Sequence, residues 1–358
     1  MDNGIYSGNR VFYYDALRAF AIFGILCCHV FAEYVTKTNM FATKFWYYAL
    51  FLNSLSNVCV PLFVVLSGCL LIGRRETLID FAKKRLPRII LPYLFWGIVF
   101  TLTFALVFHR GAVIDVALNA FSFSPKKDAN WLWFVPMILI TYVIIFIINK
   151  LNEYSSKTLK ACLILSLITV ILINIGFLPM EKHFLYFYYS VFAVFGYYLS
   201  NTDLKNILKL SDKKLMIIFL ILSIVLYIAE IAIKASMTIE AHELISMSQF
   251  SFLNIILTSC IFLFLRYFEE NNGKFLNHIK KNQTGKIIYS ISICSYGIYL
   301  SHIVIKWLLV KYPLLTIKNV LPISVYSTIP LILTLIASWL IILILSKIPV
   351  LNKFSGAA

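Results

Sequence analysis

Ten apolar runs, each near the length that crosses a bilayer, constrain this chain more than any other feature. A spanning helix needs about 20 mainly apolar residues. The runs lie at 11–33, 46–72, 89–108, 131–149, 159–178, 184–200, 214–233, 248–267, 287–308 and 324–346. They predict an all-α polytopic membrane protein with about ten transmembrane helices. The weakest are 159–178 and 184–200, whose link, Leu178 to His183, is short enough to belong instead to a re-entrant hairpin. Composition agrees: 61% of residues are hydrophobic and 13% charged, whereas soluble domains are about 45–50% apolar and about 25% charged. The first run, from about Val11, has no small-x-small cleavage pattern behind it, so it is expected to be a retained helix and not a cleaved signal. No linker divides the chain and no repeat is visible, which predicts a single transmembrane domain over 1–358.

The net charge is +16. Basic residues sit in short loops between apolar runs and form no continuous patch, which argues against nucleic acid and for anionic lipid headgroups and an anionic cosubstrate. The segment Gly73–Arg88 alone carries Arg74, Arg75, Lys83, Lys84, Arg85 and Arg88. Alternate loops on the same side carry Lys150, Lys157 and Lys160, then Lys205, Lys209, Lys213 and Lys214, then Arg266, Lys274, Lys280, Lys281 and Lys286. The other side has fewer cations, scattered among Glu33, Asp115, Asp128, Glu181, Glu240 and Glu243. By the positive-inside rule both termini are expected in the cytoplasm, which requires an even number of spans. The seven cysteines all lie in apolar runs without zinc-ligand spacing, so they read as small packing residues, with no disulfide framework and no metal.

Ionisable groups inside a spanning helix are expensive and are functional candidates by default. Asp15, Arg18 and His29 share one face of the first helix: Arg18 and His29 are eleven residues apart, which is three turns plus about 20°, with His29 roughly 16 Å farther outward. Taken alone, an interfacial Asp15–Arg18 pair and a structural histidine explain this as well as a site does. Glu33, one turn beyond, reads as an interfacial carboxylate that could otherwise orient the His29 ring. Arg85 and Arg88, one turn apart if helical and set beside Pro87 and Pro92, suit phosphate, although positive-inside anchoring is an equal alternative. Near the C-terminus, Ser295 and His302 share a face, with His302 toward the outer end. Ser67-Gly68 and Trp131-Leu132-Trp133-Phe134 complete the set; a Trp pair alone is more often an interfacial belt.

In this order these segments resemble the membrane acyltransferase-3 family. The pattern of an arginine and a histidine separated by ten residues is met by Arg18 and His29. A phenylalanine-serine-glycine-type segment is met by Pro61 to Gly68, with Leu66 where phenylalanine is common. An arginine pair before a proline and tyrosine is met by Arg85, Arg88, Pro92 and Tyr93, a Trp-Phe segment by Trp133-Phe134, and a Ser-Tyr-Gly-Ile-Tyr-Leu-x-His segment by Ser295 to His302. The resemblance covers nearly the whole chain; each motif is weak alone, and five in order are specific. The hydrolase-like extension of some members is not expected.

The resemblance implies transfer of an acyl group, acetyl being the family's commonest, from cytoplasmic acyl-coenzyme A to a hydroxyl of a cell-surface or lipid-linked saccharide on the outer side. On that basis His29, Asp15, Arg18 and His302 are the expected catalytic residues. Arg85, Arg88, Ser67 and Tyr93 are expected on the cosubstrate, and Trp133, Tyr299 and Ser295 on the acceptor side. An imidazole can act as general base or carry the acyl group itself, and the sequence does not choose. The expected partners are acyl-coenzyme A, a saccharide or glycolipid acceptor and membrane lipids, in a prokaryotic cell membrane, with homo-oligomerisation left open. The alternative is a polysaccharide or small-molecule export protein on the same scaffold.

Overall fold

The structure is a computed structural model that describes residues 10–311 and 323–357. The described helices are, in order, α1 (Phe12–Val35), α2 (Lys44–Ser54), α3 (Ser56–Leu71), α4 (Leu78–Leu102), α5 (Val113–Ala120), α6 (Phe134–Tyr154), α7 (Thr158–Asn174), α8 (Lys182–Tyr188), α9 (Ser190–Asn201), α10 (Leu204–Leu208), α11 (Asp212–Ala241), α12 (Phe252–Asn271), α13 (Gly273–Lys281), α14 (Gln283–Lys311), α15 (Ile323–Lys347) and α16 (Asn352–Ser355). Among the described residues, eight helical segments are long and apolar enough to cross a membrane. The chain is an all-α polytopic membrane protein. The two weakest apolar runs are also helical but shorter: α7 has 17 residues, and the next run is broken into α8 and α9.

Differences at helix ends have local causes. The segment preceding α4 is a loop only as far as Thr77. Its side chain accepts the Asp80 amide, so α4 begins there and carries the basic residues on its first turns. Pro87 and Pro92 lie inside this helix. The run ending at 233 continues as helix to Ala241, because Glu230 and Lys234 interrupt the apolar pattern without breaking the helix; both are buried against neighbours.

α1 is the hub, packed against α2, α3, α12, α14 and α15. The Glu269 carboxylate of α12 accepts the amides of Phe12 and Tyr13 at 3.3 and 2.7 Å, satisfying the first turn of α1 from outside its own sequence. α11 is peripheral: 11% of its most apolar stretch is buried, against 56% for α1. The α3–α9 crossing is a backbone contact. A Cβ at Gly68 would lie 1.8 Å from the Ala193 oxygen, and one at Gly196 would lie 2.0 Å from the Val65 oxygen. Small residues permit such close approach in membranes. The chain's tail folds back into the bundle: the Gly297 amide donates to the Gly356 carbonyl at 3.1 Å, and the Trp96 indole donates to the Ser355 carbonyl.

Candidate active site

At the end of the bundle that carries the basic segment, α1, α3, α4, α6, α14 and the C-terminal tail enclose a cavity of about 590 Å³. Its lining includes Arg10, Arg18, Arg74, Lys84, Arg85 and Arg88 and, among the described residues, no Asp or Glu. Asp15 stands just behind this wall, 1% exposed. Arg10 donates to its two oxygens at 2.8 Å each, Arg18 pairs with it at 3.4 Å, and Ser292 donates to it at 2.6 Å. Asp15 thus fixes the inner arginines and makes no contact with either histidine. Arg85 is paired with Glu76 at 2.6 Å and lies over the Phe81 ring at 4.2 Å. That bond is the main reason the Glu76 carboxyl titrates below its ordinary range. Arg88 has no ion pair among the described residues.

Ser67 lines the wall, its hydroxyl donating to the Phe63 carbonyl at 3.0 Å. Ser295 and Tyr296 line the α14 side, and the Tyr296 hydroxyl donates to the Ile89 carbonyl at 2.9 Å. Tyr93 is elsewhere: it does not line the cavity, and its hydroxyl donates to the Ala120 carbonyl at 2.9 Å, anchoring α5. The cavity ends at Ile25, Phe134, Ile138 and Tyr299. Ile25 is one helical turn short of His29, and Tyr299 three residues short of His302.

Beyond this apolar layer the two histidines meet, His29 from α1 and His302 from α14, with ring centroids 5.0 Å apart. His302 is 1% exposed, and His29 is half-buried. The Tyr299 carbonyl lies 2.6 Å from His302 Nδ1. A carbonyl only accepts, so Nδ1 carries the proton and Nε2 presents a lone pair. Nε2 has no partner among the described residues. Such a pair can accept a proton from a hydroxyl or attack a carbonyl carbon.

The sequence motif singled out Trp133, but Trp131 is the tryptophan against His302, at 5.5 Å, and its carbonyl accepts the Tyr299 hydroxyl. Trp133 is half-buried against Tyr186 and Tyr189. Three polar groups that sequence reasoning passed over also lie in the bundle. Lys306 is 9% exposed and donates to the His29 carbonyl at 2.7 Å and to Glu33 at 3.4 Å. Glu33 thus serves Lys306 and not the His29 ring. Glu230 and Lys234 are buried on α11: Asn57 donates to Glu230 at 2.6 Å, and Lys234 donates to Asn53 and Ser54 at 3.3 and 3.1 Å. The signal was present, since Glu230 and Lys306 are charges inside apolar runs, Lys234 directly follows one, and Lys306 follows His302 by four residues.

Arginines at one end, an apolar layer at the cavity's limit, and the His29–His302 pair beyond it follow one another along α1 and α14. No curated protein and no solved structure matches the chain. The family model described as an acyltransferase domain matches residues 11–344, nearly the whole length; the chain belongs to the acyltransferase-3 family and is a membrane acyltransferase.

Proposed function

We propose that this protein moves an acetyl group from acetyl-coenzyme A, bound at the basic end on the cytoplasmic side, to a hydroxyl of a cell-surface or lipid-linked saccharide on the outer side of a prokaryotic cell membrane. The observation that carries this reading is the pairing of a six-cation cavity, with no Asp or Glu among its described lining residues, with a histidine pair past its apolar end. The cations suit the coenzyme's phosphates, which need several charge-assisted bonds. The cavity's apolar end suits a short acyl chain. On the far side, Tyr34 and Trp307 flank Lys306 and Glu33 in sequence, and aromatic faces suit the apolar faces of sugars.

In the proposed reaction His29 takes the proton of the acceptor hydroxyl as its oxygen attacks the thioester carbonyl. The carbon–sulfur bond breaks, and the departing thiolate receives the proton. His302, whose Nε2 lone pair faces the same region, assists. The covalent variant, in which His29 carries the acyl group to the acceptor, uses the same residues. Asp15 acts by holding Arg10 and Arg18, and Arg85 and Arg88 grip the coenzyme.

The test is His29→Gln, which keeps bulk and hydrogen bonding but cannot take the proton. Transfer of label from acetyl-coenzyme A to envelope polysaccharide and glycolipid should become undetectable, since general-base action contributes about 10²–10⁴-fold. Coenzyme binding should stay near wild type. A variant retaining a third of wild-type turnover would remove His29 from the chemistry, and intact glycan export without acylation separates an acyltransferase from an exporter. An acyl-imidazole trapped on His29 would select the covalent variant.

A further inference from the structure

His29 is gripped through its backbone as well as through packing. The Lys306 ammonium lies 2.7 Å from the His29 carbonyl, and Asn53 Nδ2 from α2 lies 3.0 Å from the preceding carbonyl, Cys28. Within a helix these oxygens already accept the amides four residues on. Each carbonyl has a second lone pair, so both are cross-braced by a donor from a different helix. Asn53 is itself held, because its oxygen accepts from Lys234 at 3.3 Å. Two ammonium groups are therefore placed inside a membrane bundle, where cations are costly, one on the His29 carbonyl and one on the Asn53 oxygen that backs the donor to the Cys28 carbonyl.

Lys306 also belongs to the helix that carries the second imidazole. It follows His302 by one turn, so α14 presents to α1 a ring against the His29 ring and, one turn outward, a cation against the His29 carbonyl. Its second contact, Glu33, is the longer at 3.4 Å and reaches a carboxylate whose side chain is 62% exposed. The carbonyl bond is thus the shorter and drier of the two. Lys306 does not line the donor cavity.

We propose that Lys306 is a positioning residue for acyl transfer, fixing the His29 backbone, and with it the imidazole, opposite His302, with Asn53 and Lys234 bracing the adjoining turn. This rests on the reading of His29 as the group that handles the transfer. Lys306 touches neither thioester nor acceptor hydroxyl; it acts through His29. A displacement of about 1 Å at a reacting group can cost about a hundredfold in rate.

The experiment uses membranes containing the full chain, with radiolabelled acetyl-coenzyme A as donor and the envelope's own saccharides as acceptor. Lys306→Met keeps the stem and removes the cation. Its rate at saturating donor should fall roughly 10- to 100-fold, while the KM for acetyl-coenzyme A stays within about twofold, because the donor cavity is untouched. Lys306→Arg should recover most of the rate, and Glu33→Gln should stay within about threefold of wild type. A Lys306→Met rate near wild type overturns the proposal. So does a KM that rises as far as the rate falls, or a Glu33→Gln loss equal to that of Lys306→Met, which would make the ion pair the functional contact. If Lys306→Met does not accumulate, Lys306→Gln is read against Lys306→Arg, and equal activity of the two overturns the charge requirement. His29→Gln is run in parallel: activity there defeats the histidine reading, whereas an inactive His29→Gln beside an active Lys306→Met defeats only the positioning role.

Discussion

Removing the Arg88 guanidinium isolates one of the two cations of the basic cavity, with Arg74, whose charge has no partner among the described residues. Arg88 lines the cavity from the third turn of α4, is exposed, and has no ion pair among the described residues. An incoming phosphate therefore meets it without displacing a protein partner. Hydrogen bonds to charged groups are worth about 1.5–3 kcal/mol, so Arg88→Ala should raise the KM for acetyl-coenzyme A roughly 10- to 150-fold, with kcat nearly unchanged, the pattern of a lost ground-state contact. Arg85 gives the contrast. It must surrender Glu76, 2.6 Å away, to reach a phosphate, so Arg85→Ala should raise KM less than Arg88→Ala, and Glu76→Gln should lower KM. Acidity works in the same direction. The Glu76 carboxyl is held below its ordinary range chiefly by the Arg85 bond, so the pair persists through neutral and mildly acid pH. Only as pH falls through that lowered value does Glu76 protonate and release Arg85, and donor binding should then strengthen. The assay is initial rate against donor concentration, with adenosine 3′,5′-bisphosphate as a competitor that reports phosphate binding without the acyl group. An unchanged KM for Arg88→Ala at normal protein level would refute the donor assignment. A larger effect at Arg85 than at Arg88 would refute the argument from pairing.

Gly196→Val should destabilise the bundle beyond the about 1–3 kcal/mol of ordinary overpacking, because its Cβ would meet the Val65 carbonyl at 2.0 Å and no side chain can yield. Thermal unfolding of the detergent-solubilised protein checks this, and a melting temperature equal to wild type would contradict the crossing. Reporter fusions at residue 80 and at both ends should all read cytoplasmic, as the distribution of Lys and Arg requires; an external signal at residue 80 would invert the donor and acceptor sides.

Hydropathy made the scaffold legible because the bilayer imposes one rule on every span: enough apolar residues, with the backbone bonded internally. That rule reads length and not neighbours. It located α1, α12, α14 and α15 closely and stopped α11 short at Glu230 and Lys234, where charge is tolerated through contacts with Asn57, Asn53 and Ser54 on distant residues. It also left α4 starting inside the bilayer, whereas Thr77 caps a helix that begins at Leu78, eleven residues before the apolar run at 89. Helical phase placed Arg18 and His29 on one face of α1, and the structure puts the first in the cavity wall and the second against His302. Phase within one helix says nothing of the helix opposite. The choice between Trp131 and Trp133, the turning of Tyr93 toward Ala120, and the reach of Lys306 to a backbone carbonyl depend on how α4, α6 and α14 rotate against α1. None of these contacts has a signature in local spacing.

The apolar layer between cavity and histidines follows from the chemistry proposed. A thioester beside an activated imidazole is open to water as well as to a sugar hydroxyl, and hydrolysis wastes the donor. A site that joins two aqueous sides of a membrane is especially exposed to that side reaction. Ile25, Phe134, Ile138 and Tyr299 line the cavity toward the histidines, Ile25 one turn short of His29, and the Tyr299 hydroxyl is held by the Trp131 carbonyl while the Trp131 ring packs on His302. On the proposed reading the arginines lie on the coenzyme side of this layer and the imidazoles beyond it, and around the buried His302 ring electrostatic interactions are stronger than in water. Only the slim acyl end of the donor has to pass. On that reading the three turns between Arg18 and His29 on α1 span both the depth of the cavity, from Arg18 to Ile25, and the one apolar turn between Ile25 and His29.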